Sequence, residues 1–231
     1  MALLPLESNP EVMNKFLHLL GVPNKWNIVD VYGLEQDDLA YITKPVLALI
    51  LLCPNSEQFN KHAEEESVKL KEEGQIITPD LFFVKQSVPN VCGTIALIHS
   101  VANNSEKLGI EGPFKHLLEK TKDLTPEKRG ELLFSCEDGE SFNLMSVHQE
   151  LAQEGQSEVN PNEPANNHFI ALIEKDGHLY ELNGSKEFPV NHGPTTEDTF
   201  LEDAANVCRQ FISRNAEDVN FTVMALTAAE N

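Results

Sequence analysis

The sequence predicts an α+β fold in which helices surround a mostly antiparallel sheet. Three observations point there. Apolar residues recur at helical spacing in several segments, and six short runs read as strands. Asp176-Gly177 then joins two of those runs in the manner of a two-residue hairpin turn. At 231 residues, with no internal repeat and no compositional break, a single domain over 1–231 is expected.

Taken in order, Asn9-Pro10 is a cap followed by proline at the first helical position, opening EVMNKFLHLL, which Gly21 closes. NIVDVY at 27–32 alternates as a strand does, and VLALILLC at 46–53 reads as a buried strand, far too short to span a bilayer. Ser56 to Gly74 is a charged helix with signals at both ends, and its AEEESVKLKEE run is a solvated face. LFFV at 81–84 is expected as a short buried strand. Ile95, Ile98 and Val101 then mark a helix that starts near Cys92.

Further helices are expected at 113–121, at 126–134 after Thr125, and at 139–152. Residues 153–167, QEGQSEVNPNEPANN, have no periodic apolar pattern, so that stretch is either disordered or a functional loop. HFIALIE and HLYELN form the hairpin, His192 falls in a loop, a helix covers about 196–214, and NFTVMAL is the final strand.

The charge balance restricts the function. With 37 acidic and 17 basic residues the net charge is −20. Such a surface repels nucleic acid and anionic membrane, and it serves either solubility or a basic partner. Four cysteines (53, 92, 136 and 208) lack CxxC pairs or histidines at ligand spacing, so neither a disulfide framework, a metal site nor a cofactor is expected. The N-terminus lacks the basic region of a signal peptide. A cytoplasmic monomer is expected, with the nucleus also open.

Within QSVPNVCGTIALIHSV, Cys92 stands where the apolar helix begins. Unpaired N–H groups and the positive dipole end there favour a thiolate, the reactive form of cysteine. Gly93 leaves room for a substrate, and Gln86 could donate an N–H to an oxyanion forming over Cys92. Local spacing also suits a small hydrophobe packed at a helix start. The hairpin shifts the balance. With Asp176 and Gly177 as loop residues, Lys175 opposes His178, Ile170 opposes Asn183 and His168 opposes Ser185. His168 and Asn183 then share a face as diagonal neighbours with Cβ atoms roughly 7–8 Å apart, close enough for a hydrogen bond. A base and its orienting group are the second half of a nucleophile triad.

QSVPNVCGTIALIHSVANN, the NHFIALIEKDGHLYELNG hairpin and FPVNHGPTTEDTFLEDA together resemble the ubiquitin carboxyl-terminal hydrolase family. LPLESNPEV and FTVMALTAA extend the resemblance over essentially the whole chain, matching the short animal members that consist of the catalytic domain alone. The resemblance implies a papain-like core with a knotted backbone and a cysteine peptidase that cleaves after the C-terminal glycine of ubiquitin. It implies Cys92 as nucleophile, His168 as general base and then acid, and Gln86 as oxyanion donor. It also implies a crossover loop at about 148–166 restricting leaving groups to small or unstructured adducts, and ubiquitin contacts from Pro5 and Leu6. Ubiquitin adducts, and related ubiquitin-like modifiers, are the implied partners, the basic ubiquitin tail suiting the acidic surface.

The chain departs from the family at one position, where LYELNG replaces LYELDG and Asn183 stands in place of the carboxylate. An amide oxygen can accept the imidazole N–H, but it brings no charge to the imidazolium. A slower hydrolase is the expectation, with a ubiquitin-binding protein of impaired chemistry as the alternative.

Overall fold

The computed structural model describes residues 3–135, 142–155, 166–214 and 220–230. Along the chain run α1 (Pro10–Leu19), β1 (Trp26–Asp30), α2 (Gln36–Leu39), β2 (Val46–Pro54), α3 (Glu57–Glu73) and α4 (Cys92–Asn103). They are followed by α5 (Ser105–Leu108), α6 (Pro113–Thr121), α7 (Pro126–Leu133), α8 (Leu144–Ala152) and β3 (Asn167–Lys175). The hairpin partner β4 (His178–Leu182), then β5 (Val190–Pro194), α9 (Phe200–Arg214) and β6 (Thr222–Ala228) complete the order.

The caps read from the sequence explain several helix starts. Asn9 accepts a hydrogen bond from the Glu11 N–H ahead of Pro10, and Ser56 accepts one from Phe59. Thr125 and Asn143 do the same for Lys128 and Ser146.

Six strands form one sheet in the order β1-β6-β2-β3-β4-β5, every described pair antiparallel. Alternate side chains go to opposite cores. Ala48, Ile50, Phe169, Ala171 and Ile173 meet α1, α4, α6 and α8 on one face. Leu49, Leu51, Ile170 and Leu172 meet α9 and Phe59 of α3 on the other. β2 therefore carries an unbroken apolar run because both its faces are covered. Helix α4 is buried along almost its whole length, which is why its sequence is apolar on more than one face.

Three expectations are corrected. LFFV at 81–84 makes no strand ladder, because side chains of α4 take the hydrogen bonds a neighbouring strand would supply. Asn103 bonds the Phe82 N–H at 2.8 Å and the Phe82 carbonyl at 2.9 Å, and His99 Nε2 accepts from the Val84 N–H at 3.0 Å. His192, expected in a loop, lies in β5, which pairs with β4. The last long helix begins at Phe200 rather than near 196, because Thr196 and Thr199 bond each other in a turn ahead of it. The helix expected over 139–152 is described from Leu144. Cys136 and residues 156–165, most of the expected crossover loop, lie outside the described residues.

Candidate active site

The hairpin has the register expected of it. Lys175 opposes His178 and Ala171 opposes Leu182, with Asp176 and Gly177 both at positive φ in the turn. Beyond the ladder's last pair, with Asn183 one residue past Leu182 and His168 three before Ala171, His168 Nε2 lies 2.7 Å from Asn183 Oδ1. The orientation of the amide is set by its second contact, since the Ser185 backbone N–H donates to the same Oδ1 at 2.9 Å. A flipped amide would place N–H groups against that donor. Oδ1 can only accept, so Nε2 carries the imidazole proton and Nδ1 is left with the lone pair. The Ser185 hydroxyl is a longer neighbour of Nε2, at 3.4 Å. Phe59 tilts against the imidazole with ring centroids 6.4 Å apart.

Cys92 is the first residue of α4, whose leading N–H groups have no partner within the helix. The residue is 5% exposed, and its thiol lies near the backbone N–H groups of Phe169, Gly93 and Cys92 itself. Burial raises its pKa and outweighs those donors, so the thiol is pushed up rather than down. The thiolate expected from the helix start is therefore not the resting form. Burial also holds His168 below the ordinary histidine value, outweighing its bond to Asn183 and the nearby Glu181 carboxylate. Although Phe169, which follows His168 in the chain, brings its N–H toward the thiol, no hydrogen bond joins Cys92 to His168. The resting site pairs a neutral thiol with a neutral imidazole.

Gln86 is brought to the end of the hairpin by its backbone, the Gln86 N–H donating to the Gly184 carbonyl at 2.9 Å. Its side-chain nitrogen donates to the Val88 carbonyl at 2.9 Å, while Oε1 is buried with no partner. The space expected beside Gly93 is filled by protein: a Cβ there would lie 3.1 Å from Leu6 Cβ and 3.2 Å from the Phe169 ring. Leu6 is consequently 4% exposed and Pro5 half-buried. Among the described residues no cluster of three or more His, Cys, Asp or Glu could hold a metal ion, and no helix is long and apolar enough to cross a membrane.

Two features escaped sequence reasoning. Gly184 admits the close approach of Gln86 and α4, since a Cβ would lie 2.9 Å from Ile95 Cγ2 and 3.3 Å from Gln86 Cβ. The Asn-Gly pair at 183–184 was the available signal. A buried ion cluster also flanks the hairpin end. Glu181 meets Lys186 Nζ at 2.7 Å and His192 Nε2 at 3.0 Å, and Lys186 reaches Glu66 at 2.7 Å. Burial alone would raise Glu181, but Lys186 and His192 bring it down to about 2. The Lys186 N–H donates to the Asn183 carbonyl at 2.9 Å, which ties this cluster to the amide. The signal was positional, because Glu181 shares a strand face with Asn183 two residues later.

A cysteine at the head of a buried helix, together with a histidine oriented by an amide, can perform the chemistry of a cysteine hydrolase. The chain matches the family described as ubiquitin carboxyl-terminal hydrolase, family 1, over residues 3–213. A Drosophila melanogaster ubiquitin carboxyl-terminal hydrolase is 51% identical over 226 residues, covering 98% of this chain and 97% of that one. Human ubiquitin carboxyl-terminal hydrolase isozyme L1 is 44% identical over 231 residues, covering 99% and 100%. The Trichinella spiralis UCH37 catalytic domain, solved bound to ubiquitin vinyl methyl ester, superposes with a TM-score of 0.70. At 20% identity, over 98% of this chain and 96% of that one, it shows the same fold. The chain belongs to the ubiquitin carboxyl-terminal hydrolase family.

Proposed function

We propose that the chain is a deubiquitinating thiol hydrolase that releases small or unstructured adducts from the C-terminal glycine of ubiquitin. Cys92 Sγ attacks the carbonyl carbon of that glycine while His168 Nδ1 takes the thiol proton. The oxyanion is stabilised by the N–H at the head of α4, with the Gln86 amide turning from Val88 to assist. The imidazolium returns its proton to the leaving group, giving a thioester, and a water activated by His168 then hydrolyses it. Asn183 acts by holding the tautomer that leaves Nδ1 basic.

The observation that carries this reading is the His168–Asn183 contact at 2.7 Å with the amide locked by Ser185. Because Cys92 and His168 are not bonded at rest, substrate binding has to bring them together. Of the stretch expected as a loop, 148–166, residues 148–152 belong to α8; the remainder runs from that helix to the strand bearing His168, and we assign it the limit on leaving-group size.

A second reading, a ubiquitin-binding protein of impaired chemistry, is favoured by the neutral, unlinked thiol and imidazole. The two are separated by mixing the chain with a ubiquitin C-terminal amide and quenching in acid. A hydrolase gives free ubiquitin catalytically, with a hydroxylamine-sensitive adduct on Cys92 that Cys92→Ala abolishes. Binding without turnover above the Cys92→Ala control establishes the second reading.

A further inference from the structure

His148 is a fully buried histidine that the chemistry above does not use. It projects from α8 between two other parts of the chain. Its Nε2 lies 2.9 Å from the Leu4 carbonyl, and its Nδ1 lies 2.8 Å from the Thr94 hydroxyl. A carbonyl can only accept, so Nε2 carries a proton and donates to Leu4. Burial favours the neutral imidazole here, and in that form Nδ1 accepts from the Thr94 hydroxyl.

Thr94 is in the first turn of α4, two residues after Cys92. The same N-terminal segment is held at two neighbouring points. Asn90 donates to the Leu3 carbonyl at 2.8 Å, and Leu6 packs against Gly93. Residues 3, 4 and 6 are thus held by groups on both sides of the nucleophile. An apolar side chain at 148 could fill the same space, but it could not fix the direction of the Leu4 carbonyl or the Thr94 hydroxyl.

We propose that His148 is a positioning residue that clasps residues 3–8 to the nucleophile end of α4, making this N-terminal segment a fixed wall of the site against which the substrate's tail is held. The proposal rests on the hydrolase reading for its substrate, but the clasp itself is a property of the free chain. Losing it loosens the wall without altering the chemistry of Cys92, so the cost falls on substrate binding.

The experiment compares wild type with His148→Phe, which keeps the bulk, and His148→Gln, which keeps one donor and one acceptor. Thr94→Val removes a single hydroxyl and serves if His148→Phe does not fold. Three quantities are read: ubiquitin-amide kinetics, amide hydrogen exchange over residues 3–8, and alkylation of Cys92 by iodoacetamide. His148→Phe is expected to raise KM about fivefold with kcat within about twofold, the scale set by losing a buried hydrogen bond. Exchange over 3–8 should quicken, and Cys92 alkylation should stay within about twofold. His148→Gln should recover most of the KM, and Thr94→Val should give a smaller effect of the same sign. Unchanged KM and exchange in His148→Phe would overturn the proposal. So would a loss confined to kcat, or a failure of His148→Gln to recover anything. Should wild type show no turnover, the hydrolase reading fails, and exchange over 3–8 alone decides the clasp.

Discussion

His168 donates from Nε2 to Asn183 Oδ1, and the Ser185 N–H donates to the same oxygen. Those two donors make the amide mimic the acceptor face of a carboxylate while leaving out its charge. The consequence is confined to the moment when the imidazole is protonated. Two nearby residues set further limits. Cys92 has its pKa raised by burial, so its thiolate fraction at neutral pH lies below that of an exposed cysteine. Alkylation by iodoacetamide in the free chain should accordingly be slower at pH 7 than for a small thiol, and should climb with pH beyond the usual range near 8.5. Rapid alkylation at pH 7 would contradict a buried neutral thiol. Gly184 has no room for a side chain between Ile95 and Gln86. Gly184→Ala should cost about 1–3 kcal/mol in denaturant unfolding, and it should lower hydrolysis by moving Gln86 away from the hairpin.

The elements show how much could be read in advance. The hairpin is legible in full, because a two-residue turn fixes register and register fixes faces; that is why the sequence alone pairs His168 with Asn183. Helix α4 was legible from its spacing. The segment at 81–84 was not, because its apolar character suits a strand while its hydrogen bonds go to Asn103 and His99 on α4. β5 was hidden for the opposite reason: VNHGP has weak strand propensity, and its pairing with β4 overrides that. The resting state of the thiol is not legible, because helix position is visible in sequence and burial depth is not. The Glu181–Lys186 pair beside the hairpin also depends on tertiary placement. Lys186→Met should leave Glu181 buried with too little compensating charge, destabilising the fold by about 3–5 kcal/mol. Urea unfolding of Lys186→Met and of Lys186→Met with Glu181→Leu checks this, the double variant recovering most of the loss.

At the scale of the whole molecule, three buried histidines govern the response to acid. Burial holds His99 down to about 3 and keeps His148 and His168 below the ordinary value of 6.5. As pH falls below 6.5 the unfolded chain binds protons that the folded chain refuses, so stability falls until each folded pKa is reached. Glu181 adds to the loss lower down, its contribution disappearing as pH drops from 4.5 through about 2. Stability should therefore decline steadily below pH 6.5, by up to about 1.4 kcal/mol per pH unit for each such histidine. Thermal unfolding across pH 4–8 measures it, and a flat profile from 6.5 to 4.5 would contradict neutral buried histidines. His99→Gln should flatten part of the slope.

The central claim is that the Asn183 oxygen orients His168 for work at Cys92, and the most direct measurement is kcat/KM for ubiquitin-amide hydrolysis in wild type, Asn183→Asp and Asn183→Ala. A charge-assisted bond exceeds a neutral one by roughly 1–1.5 kcal/mol, so Asn183→Asp should be faster by about tenfold. Asn183→Ala, which leaves Nε2 only the longer contact with the Ser185 hydroxyl, should be slower than wild type by at least a similar factor. The order Asp, then Asn, then Ala is the predicted result. Equal rates for wild type and Asn183→Ala would contradict the account, because the amide would then contribute nothing to the reaction.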